Sequence, residues 1–430
     1  MRPQTDHNSP ADDTSNQFDR GGIFGRKKRP LEASCGELPG NFSPLNAQPA
    51  MPQAPIRVLH VVNSLEPGGM ENGVVNVASR LDPAAFQVQV CCLERVGKFA
   101  ARLPGHVPVQ VLNKQPGFSV WTVFSLARVI AQFGPSVLHT HNLGPLIYAS
   151  LAKGLGQWQP ILHGEHSQLN EDELSPRRMR QRRWLYHGCR CVHTVSESLR
   201  HHLLELGLTS EKWEVIANGV DTQRFRAGDR AAARRSLGLP GEGLVVGMVG
   251  RFGLLKRHTL LLDSFALLAQ RMDNVRLLIV GGGGPEEQRV IEQAKASKVS
   301  ARIHLAGFQN DTAPFYQAMD LLVVPSVNEG LSNAVLEAMA SGIPAVCHTA
   351  CGNAEVITSG ADGFVAPLDN VEALAAQLQE TLASPARLAW MGQKAREKVV
   401  GRFSLATMAE NYARLYRELV VGSRPINQRK

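Results

Sequence analysis

The sequence predicts an α/β protein in which two Rossmann-like, doubly wound domains face each other across a cleft. Its 430 residues are enough for two or three domains with cores of their own. Short apolar runs alternate with longer amphipathic segments, which is typical of parallel strands joined by crossover helices. The alternation stops at about 218–243, in a stretch containing Arg, Gly and Pro, and then begins again. Two parallel sheets with a ligand cleft between them are the natural interpretation.

The first domain is predicted over 56–225, after a tail at 1–55. The tail is rich in Pro, Asn, Asp, Ser and Gly and has no periodicity, so we expect it to be disordered. Apolar runs bounded by turn residues predict strands at 56–62, 86–93, 137–141, 160–163 and 191–195. Helices are predicted at 70–81, after the tight loop of Gly68 and Gly69, and at 121–133.

A linker is predicted over 226–243 and a second domain over 244–402. The strands of the second domain are expected at 244–250, 275–280, 303–306, 321–324 and 345–349, each followed by a helix. The last helices are expected at 371–383 and 405–420. We expect the helix and tail at 403–430 to return to the first domain.

Composition limits the classes of function. A hydrophobic content of 43% and a charged content of 20% are typical of a soluble globular protein, and no run of eighteen apolar residues predicts a spanning helix. We expect no signal peptide, because the first residues lack an apolar segment. Seven Cys, an odd number scattered through apolar strands, indicate a reducing, cytoplasmic compartment. The net charge of +8 favours anionic partners such as a nucleotide or a phospholipid surface, and no nucleic-acid motif is legible.

Two glutamates flank the most informative segment of the chain. A buried strand at 321–326 leads into a loop with Glu329 and Gly330, and a helix is predicted to begin near Ser332 and to end at Gly342. A helix start is a favourable place for a diphosphate. If the spacing were helical throughout, Glu329 and Glu337 would lie roughly 12 Å apart, beyond the ~5–9.5 Å of a hydrolytic carboxylate pair. The spacing suits two groups that grip opposite ends of a long ligand such as a nucleotide-sugar.

Two cations follow the first strand of the second domain. The strand ends at Gly250, and Arg251 and Lys256 stand at its carboxyl end, where open α/β sheets bind ligands. Fixed cations there would stabilise the charge that develops on a leaving nucleoside diphosphate; a solvated basic loop is the alternative. The glycine run at 281–284 lacks the G-x-G-x-x-G spacing of a dinucleotide site and predicts a structural turn.

These segments resemble the signatures of the GT-B glycosyltransferase family 4, whose members are retaining enzymes. The Glu-x7-Glu segment matches one family motif and Gly250 to Lys256 matches another, although Arg257 stands where Gly usually follows the Lys. The resemblance covers about 56–420 and is strongest from 249 to 367. It implies that Arg251 and Lys256 hold the diphosphate, that Glu337 binds ribose and that Glu329 binds the donor sugar. The same donor loop supplies Gly330, Leu331 and Ser332.

The first domain contributes further candidates. Gly68 and Gly69 resemble the family's first loop, whose backbone approaches the donor phosphate, although a plain tight turn is as consistent with the sequence. We expect His139 and His141 to point to opposite faces of their strand, with His141 nearer the exposed end. His141 matches the catalytic position beside the donor sugar. The strand at 160–163 leads to Glu165 and His166, which we expect to face the cleft and to contact the acceptor.

A metal site is considered and not predicted. The Cys-x-Cys spacing of Cys189 and Cys191, between His187 and His193, is tighter than that of the usual zinc pairs. No Asp-x-Asp stands at a strand end. We therefore expect no catalytic metal and no cofactor other than the nucleotide-sugar substrate.

Two basic segments suggest contact with an anionic membrane. One is the predicted helix with Arg177, Arg178, Arg180, Arg182 and Arg183; the other is the tail cluster at 26–29. For both, solvated charge is the alternative.

The favoured function is a retaining, metal-independent transfer of a sugar from a nucleotide donor to a saccharide or polyprenyl-linked saccharide. The segments at 68–73 and 163–166 most resemble sugar transferases of bacterial exopolysaccharide clusters, so we expect a cytoplasmic protein, peripheral at the inner face of the membrane. A non-catalytic nucleotide-sugar-binding protein on the same fold is the alternative, against which the set of Arg251, Lys256, Glu329 and Glu337 argues. An oxidoreductase is disfavoured by the missing dinucleotide motif.

Overall fold

The computed structural model describes residues 54–156, 159–327, 329–350 and 352–422. The predicted tail at 1–55, with its basic cluster at 26–29, lies outside the described residues apart from its last two positions. Within those ranges, none of the helices combines the length and the apolar character that a bilayer crossing requires.

The described part of the chain begins with a parallel sheet of seven strands in the order β3-β2-β1-β4-β5-β6-β7. The sequence predicted five of them, and it missed β3 and β7, which are only three residues long. The strands are β1 (Ile56–Val62), β2 (Phe86–Cys92), β3 (Val109–Val111), β4 (Val137–His141), β5 (Ile161–Glu165), β6 (Cys191–Thr194) and β7 (Trp213–Val215).

The helices of the first sheet cover its two faces. They are α1 (Gly69–Arg80), α2 (Val120–Phe133), α3 (Leu143–Lys153), α4 (Pro176–His187) and α5 (Glu197–Glu205). Strand β1 shows the two-residue alternation expected of a buried strand. Its Leu59 and Val61 pack in the core of α2, α3 and α4, whereas Val58 and Val62 pack in the core of α1.

A second parallel sheet follows helix α6 (Arg230–Ser236), which lies within the predicted linker. Its strand order is β10-β9-β8-β11-β12-β13. The strands are β8 (Leu244–Val249), β9 (Val275–Val280), β10 (Ile303–Gly307), β11 (Leu321–Val324), β12 (Ala345–His348) and β13 (Gly363–Ala366). The helices are α7 (His258–Arg271), α8 (Glu287–Ala296), α9 (Ala313–Ala318), α10 (Asn333–Ala340), α11 (Val371–Leu382) and α12 (Pro385–Arg402). The sequence did not predict α12.

The chain returns to the first sheet at its end. Val220 N–H donates to the Phe403 carbonyl, and Leu405 N–H donates back to the Val220 carbonyl. Helix α13 (Leu405–Gly422) then packs against α1, β1 and β4. In each sheet the strand order reverses between two neighbours, β1 and β4 in the first and β8 and β11 in the second. Ligands of open α/β sheets bind outside the carboxyl ends of such strands, and the predicted site residues lie there.

Candidate functional site

Lys256 and Glu329 form an ion pair in the second sheet. Lys256 lies in a short turn after β8, Glu329 follows the neighbouring strand β11, and the Lys256 ammonium donates to the Glu329 carboxylate. The two loops are joined further by a hydrogen bond from Val327 N–H to the Leu255 carbonyl, 3.2 Å long. Two residues predicted separately from distant motifs are therefore in direct contact at the ends of adjacent strands.

Arg251 lies against the glycine run at 281–284. Phe252 N–H donates to the Gly283 carbonyl at 2.9 Å, and a side chain at Gly281 would collide with the Gly250 carbonyl. The run therefore acts as a structural turn that backs the loop of Arg251, and Arg251 itself is exposed.

Arg257 explains why glycine is the usual residue at its position. Its φ of 58° lies in the left-handed region, which residues with a Cβ adopt at a cost. Its guanidinium donates to the Leu368 and Asp369 carbonyls at 3.0 and 3.1 Å. These two bonds hold the turn after Lys256 despite the unfavourable residue.

The first turn of α10 faces the glycine loop of the first sheet. Ser332 is the residue before the helix, and its N–H donates to Asn353 Oδ1 at 2.9 Å, while its side chain makes no capping bond. Asn333 Nδ2 donates to the Gly69 carbonyl at 3.4 Å. The start of α10 and the loop of Gly68 and Gly69 are therefore neighbours.

Gly330 lies where a loop of the second sheet meets the loops of the first sheet. A Cβ there would stand 2.5 Å from the His166 carbonyl oxygen and 2.7 Å from a Val195 methyl group. The next residue, Leu331, is buried, and its carbonyl accepts from Asn218 Nδ2 at 3.0 Å. Glycine is required at 330 because the loop of Glu329 runs directly along the loop of His166.

Glu337 projects from the second turn of α10 into a polar cavity of about 150 Å³. The cavity is lined by residues of α1, by Arg102 and by Arg224. Tyr316 Oη donates to Glu337 Oε2 at 2.8 Å. Burial raises the pKa of Glu337 to about 7, although Tyr316, Arg224 and Arg102 oppose the shift. A buried carboxylate with a raised pKa, beside cations and inside a cavity, is a candidate for binding a ligand.

A chain of hydrogen bonds joins five histidines and one tyrosine beneath the first sheet's carboxyl edge. We call it the histidine chain. His166 Nε2 contacts His141 Nδ1 at 2.9 Å, and His141 Nε2 contacts His60 Nδ1 at 3.0 Å. Tyr416 Oη of α13 lies 3.5 Å from His60 Nε2 and 2.8 Å from His139 Nδ1. His139 Nε2 contacts His193 Nε2 at 2.9 Å.

The histidine chain is electrically neutral. Burial lowers the pKa of His60 to about 3 and that of His166 to about 4, and it lowers the pKa values of His139, His141 and His193 as well. A neutral imidazole has one donor and one acceptor. Every hydrogen bond of the histidine chain can therefore form if each member donates to the next in the same direction. The tautomer of His141 then depends on the direction in which the Tyr416 hydroxyl donates.

The same rings have the spacing of metal ligands. Nitrogens of His60, His139 and His141 lie within 4.8 Å of one another, and so do those of His141, His166 and His193. Both nitrogens of His60, His139 and His141 already have partners within the histidine chain. We therefore assign these nitrogens to hydrogen bonds.

The expectation that His139 and His141 point to opposite faces was wrong. Residues two apart on a strand share a face, and the two ring centroids are only 4.1 Å apart. Gly164, beside His141 in the register, leaves room for the rings, because a Cβ there would stand 2.5 Å from His193 Nε2. Both nitrogens of His141 are engaged, so it reaches a ligand only by exchanging one of these bonds.

The expected contact of Glu165 with an acceptor is also contradicted. Glu165 is buried, and its Oε1 accepts from Tyr186 Oη at 2.6 Å, from Arg182 Nε at 3.2 Å and from His163 Nε2 at 3.3 Å. Burial alone would raise its pKa, but His163, Arg182 and Tyr186 hold the pKa at about 2. Arg182 is likewise buried, so it is not one of the surface charges that the basic helix was predicted to present.

Tyr416→Phe should destabilise the protein by on the order of 2–6 kcal/mol. The change removes one hydroxyl and leaves His139 Nδ1 and His60 Nε2 without their partner, at about 1–3 kcal/mol per buried unsatisfied group. Denaturant unfolding measures the loss. Tyr412→Phe is the matched control, because Tyr412 stacks on Tyr416 but has no hydroxyl contact in the histidine chain. Equal effects of the two changes would contradict the coupling.

Comparisons with known proteins follow the same two halves of the chain. The model of a family described as Glycosyltransferase Family 4 matches residues 67–224, and the model described as Glycosyl transferases group 1 matches residues 229–398. The D-inositol 3-phosphate glycosyltransferase of Nocardia farcinica is 30% identical over 371 residues, which are 83% of this chain and 77% of that protein.

A second relative is matched over a shorter stretch. The D-inositol 3-phosphate glycosyltransferase of Rhodococcus opacus is 29% identical over 299 residues, 67% of this chain, and the match spans 64% of that protein's length. Among solved structures, Anabaena HepE in complex with UDP-glucose superposes with a TM-score of 0.76 at 22% identity, over 84% of this chain and 100% of that one. The predicted GT-B fold of two Rossmann-like sheets is thereby confirmed.

Proposed function

Because the chain belongs to glycosyltransferase family 4, we propose that it is a retaining glycosyltransferase that uses a nucleotide-sugar donor. The acceptor is a saccharide or a lipid-linked saccharide. The observation that carries the proposal is the contact of Lys256 with Glu329, beside the uncapped start of α10 and the loop of Gly69. We place the reaction in bacterial exopolysaccharide or cell-surface glycan synthesis, on the cytoplasmic side of the membrane.

The proposed diphosphate site is built from positive charge on several elements. Arg251 and Lys256 supply full charges, and the free N–H groups at the start of α10 supply the positive end of a helix dipole. As the glycosidic bond breaks, negative charge grows on the leaving phosphate, and these groups stabilise it more in the transition state than in the ground state. They supply the stabilisation without a catalytic metal.

The proposed sugar site comprises Glu329, His141 and His166. The loop of Glu329 meets the loop of His166 at Gly330, and His166 contacts His141. Glu329 accepts hydrogen bonds from the donor sugar's hydroxyl groups and keeps Lys256 beside the phosphate. His141 takes up its orienting role by giving up the bond to His166. The backbone carbonyl of His166 lies along Gly330, and its ring is then available to the acceptor. No nucleophile is required, because the leaving phosphate oxygen accepts the acceptor's proton on the same face of the sugar.

Glu337→Gln should weaken the binding of a nucleoside diphosphate by about 10- to 100-fold. The carboxylate is proposed to accept from both ribose hydroxyls, and charged hydrogen bonds contribute roughly 1.5–3 kcal/mol. Isothermal titration calorimetry with UDP and GDP measures the change. Glu380→Gln, an exposed glutamate on α11, is the matched control. Wild-type affinity in the Glu337 variant would remove the ribose role.

The pH dependence of the free energy of unfolding provides a second test of Glu337→Gln and shows that this variant is folded. The pKa of Glu337 is about 7, above its ordinary value, so the native state binds the proton more tightly than the unfolded chain. The carboxylate therefore destabilises the native state increasingly as pH rises from about 4.5 to 7. We expect Glu337→Gln to be more stable than wild type at pH 8, by on the order of 1–3 kcal/mol, and equally stable near pH 4.5.

A further inference from the structure

An aromatic cluster stands exposed at the start of α2. Phe118 is 65% exposed, Trp121 is 78% exposed and Phe124 is 52% exposed, and Val120 lies between them. Exposed apolar residues are ordinary when scattered, but a contiguous group of large ones marks an interaction surface.

The cluster is held rigidly. Phe118 stacks on Tyr148 with ring centroids 5.6 Å apart and an interplanar angle of 17°. The Tyr148 hydroxyl accepts from Ser119 N–H at 2.9 Å, and Ser119 Oγ accepts from Thr122 N–H to cap the helix. Trp121 and Phe124 are ring neighbours at 6.3 Å. A rigid aromatic group loses little conformational entropy when it is buried.

A basic stripe lies on the same side of the sheet. Helix α3 packs between α2 and α4. On α4, Arg177, Arg180 and Trp184 are exposed, and their spacing of three and seven residues places them along one face. None of the ion pairs found within the described ranges involves Arg177 or Arg180. Arg182, on the inner side of α4, is buried.

Both groups belong to helices that begin at the same edge of the first sheet as the candidate site. Each crossover helix begins at the edge where the preceding strand ends, and this carboxyl edge carries His141 and His166. Phe118 and Trp121 belong to the start of α2, and Arg177 belongs to the first turn of α4. A surface that seats these residues therefore lies next to the mouth of the cleft.

We propose that the outer face of α2 and α4, which we call the aromatic–basic face, docks on an anionic lipid bilayer. Trp and Phe suit the boundary between headgroups and acyl chains, and Arg suits the anionic headgroups above it. A protein partner would match the aromatic residues alone, whereas the unpaired Arg177 and Arg180 favour an anionic lipid surface. The inference extends the proposed function, since it holds the cleft beside a lipid-linked acceptor.

Vesicle flotation tests the proposal with the full-length chain. We expect wild type to bind vesicles of phosphatidylglycerol and phosphatidylcholine at low salt, to be released at high salt, and to ignore pure phosphatidylcholine. Replacing both Trp121 and Phe124 by Ser should weaken partitioning at least tenfold, because their buried apolar area is lost. Replacing both Arg177 and Arg180 by Gln should weaken it about 30-fold at low salt.

Matched controls distinguish lipid binding by this face from non-specific lipid binding and from effects on catalysis. Trp390→Ser changes an exposed tryptophan on α12, and replacing Lys295 and Lys298 by Gln removes two exposed cations elsewhere; both should partition like wild type. All variants should release diphosphate from a soluble donor at the wild-type rate, so a failure to bind lipid is distinguishable from a failure of the proposed function.

Three results would overturn the proposal. One is the absence of wild-type binding to anionic vesicles at low salt. Another is wild-type partitioning by the Trp121 and Phe124 variant. The third is a concentration-dependent dimer that this variant abolishes, which would assign the face to self-association.

Discussion

Lys256→Ala should lower donor turnover by on the order of 10²–10³, the usual effect of removing one preorganised group that stabilises transition-state charge. Lys256 contacts Glu329 and stands at the carboxyl end of β8, so its loss removes both the charge beside the leaving phosphate and the partner that fixes Glu329. Lys256 is about one-third exposed and belongs to no hydrophobic core. The fold should therefore survive. Initial rates of nucleoside diphosphate release at saturating donor measure the effect.

Two controls make the result specific. Lys295→Ala removes an exposed lysine of the same lobe and should leave turnover unchanged. Glu329→Gln should lower turnover while leaving nucleoside diphosphate affinity close to that of wild type, because Glu329 is placed on the sugar. If Lys256→Ala turned over like wild type, the assignment of the diphosphate site would be wrong.

Arg182→Met should destabilise the protein by about 3–5 kcal/mol, because it leaves a buried carboxylate without its cationic partner. The Arg182 guanidinium is completely buried, and it donates to Glu165 at 3.2 Å and to the Glu173 carboxylate at 2.9 Å. Glu165 is then left with only His163 and Tyr186 as hydrogen-bond partners. Chemical denaturation at neutral pH measures the change in the free energy of unfolding.

A double variant distinguishes the effect of an unpaired buried charge from a simple loss of packing. Replacing Arg182 by Met and Glu165 by Leu together should be less destabilising than Arg182→Met alone, since no buried charge is left without a partner. Tyr186 and His163 lose their acceptor, so part of the stability is not recovered. The pKa of Glu165, about 2, lies below its ordinary value. Its stabilising contribution is therefore present above pH 4.5 and is lost as pH falls toward 2. A double variant as unstable as Arg182→Met would show that the charge is not the cause.

The fold was predictable because most of its strands are recognisable from the local sequence. The run 321–324 is apolar throughout, and 275–280 is apolar except for Arg276, as expected of strands buried on both faces. The three-residue strands β3 and β7 are too short to show any period. Helix α12 was missed because charged residues interrupt its apolar pattern, and only a narrow stripe that includes Leu388, Met391 and Ala395 is buried.

The candidate site was predictable where one motif holds several of its residues, and only there. Arg251, Lys256, Glu329 and Glu337 lie in two short segments with recognisable spacing. The histidine chain is different, because its members come from β1, β4, β6, the loop after β5 and α13. Only the strand register places His60 beside His139, and no local pattern shows that Tyr416 reaches them. The histidines inside the predicted strands at 56–62, 137–141 and 191–195 were the signal that the sequence offered.

Glu165 shows the limit of reasoning from strand ends. It stands at the carboxyl end of β5, where a ligand group is expected. The helix that follows β5 brings Arg182 and Tyr186 over it, and these partners turn the carboxylate inward. Whether a residue at a strand end meets a ligand or a neighbouring helix depends on side chains many residues away, which spacing does not encode.

Release of nucleoside diphosphate from a panel of nucleotide-sugars tests the central claim most directly. Wild type should release diphosphate from one donor, faster when a saccharide or lipid-linked saccharide acceptor is present, and Lys256→Ala should be slower by on the order of 10²–10³. The anomeric configuration of the product, read by proton NMR, should be that of the donor. No release from any donor, release unaffected by Lys256→Ala, or a product of inverted configuration would contradict the proposed function.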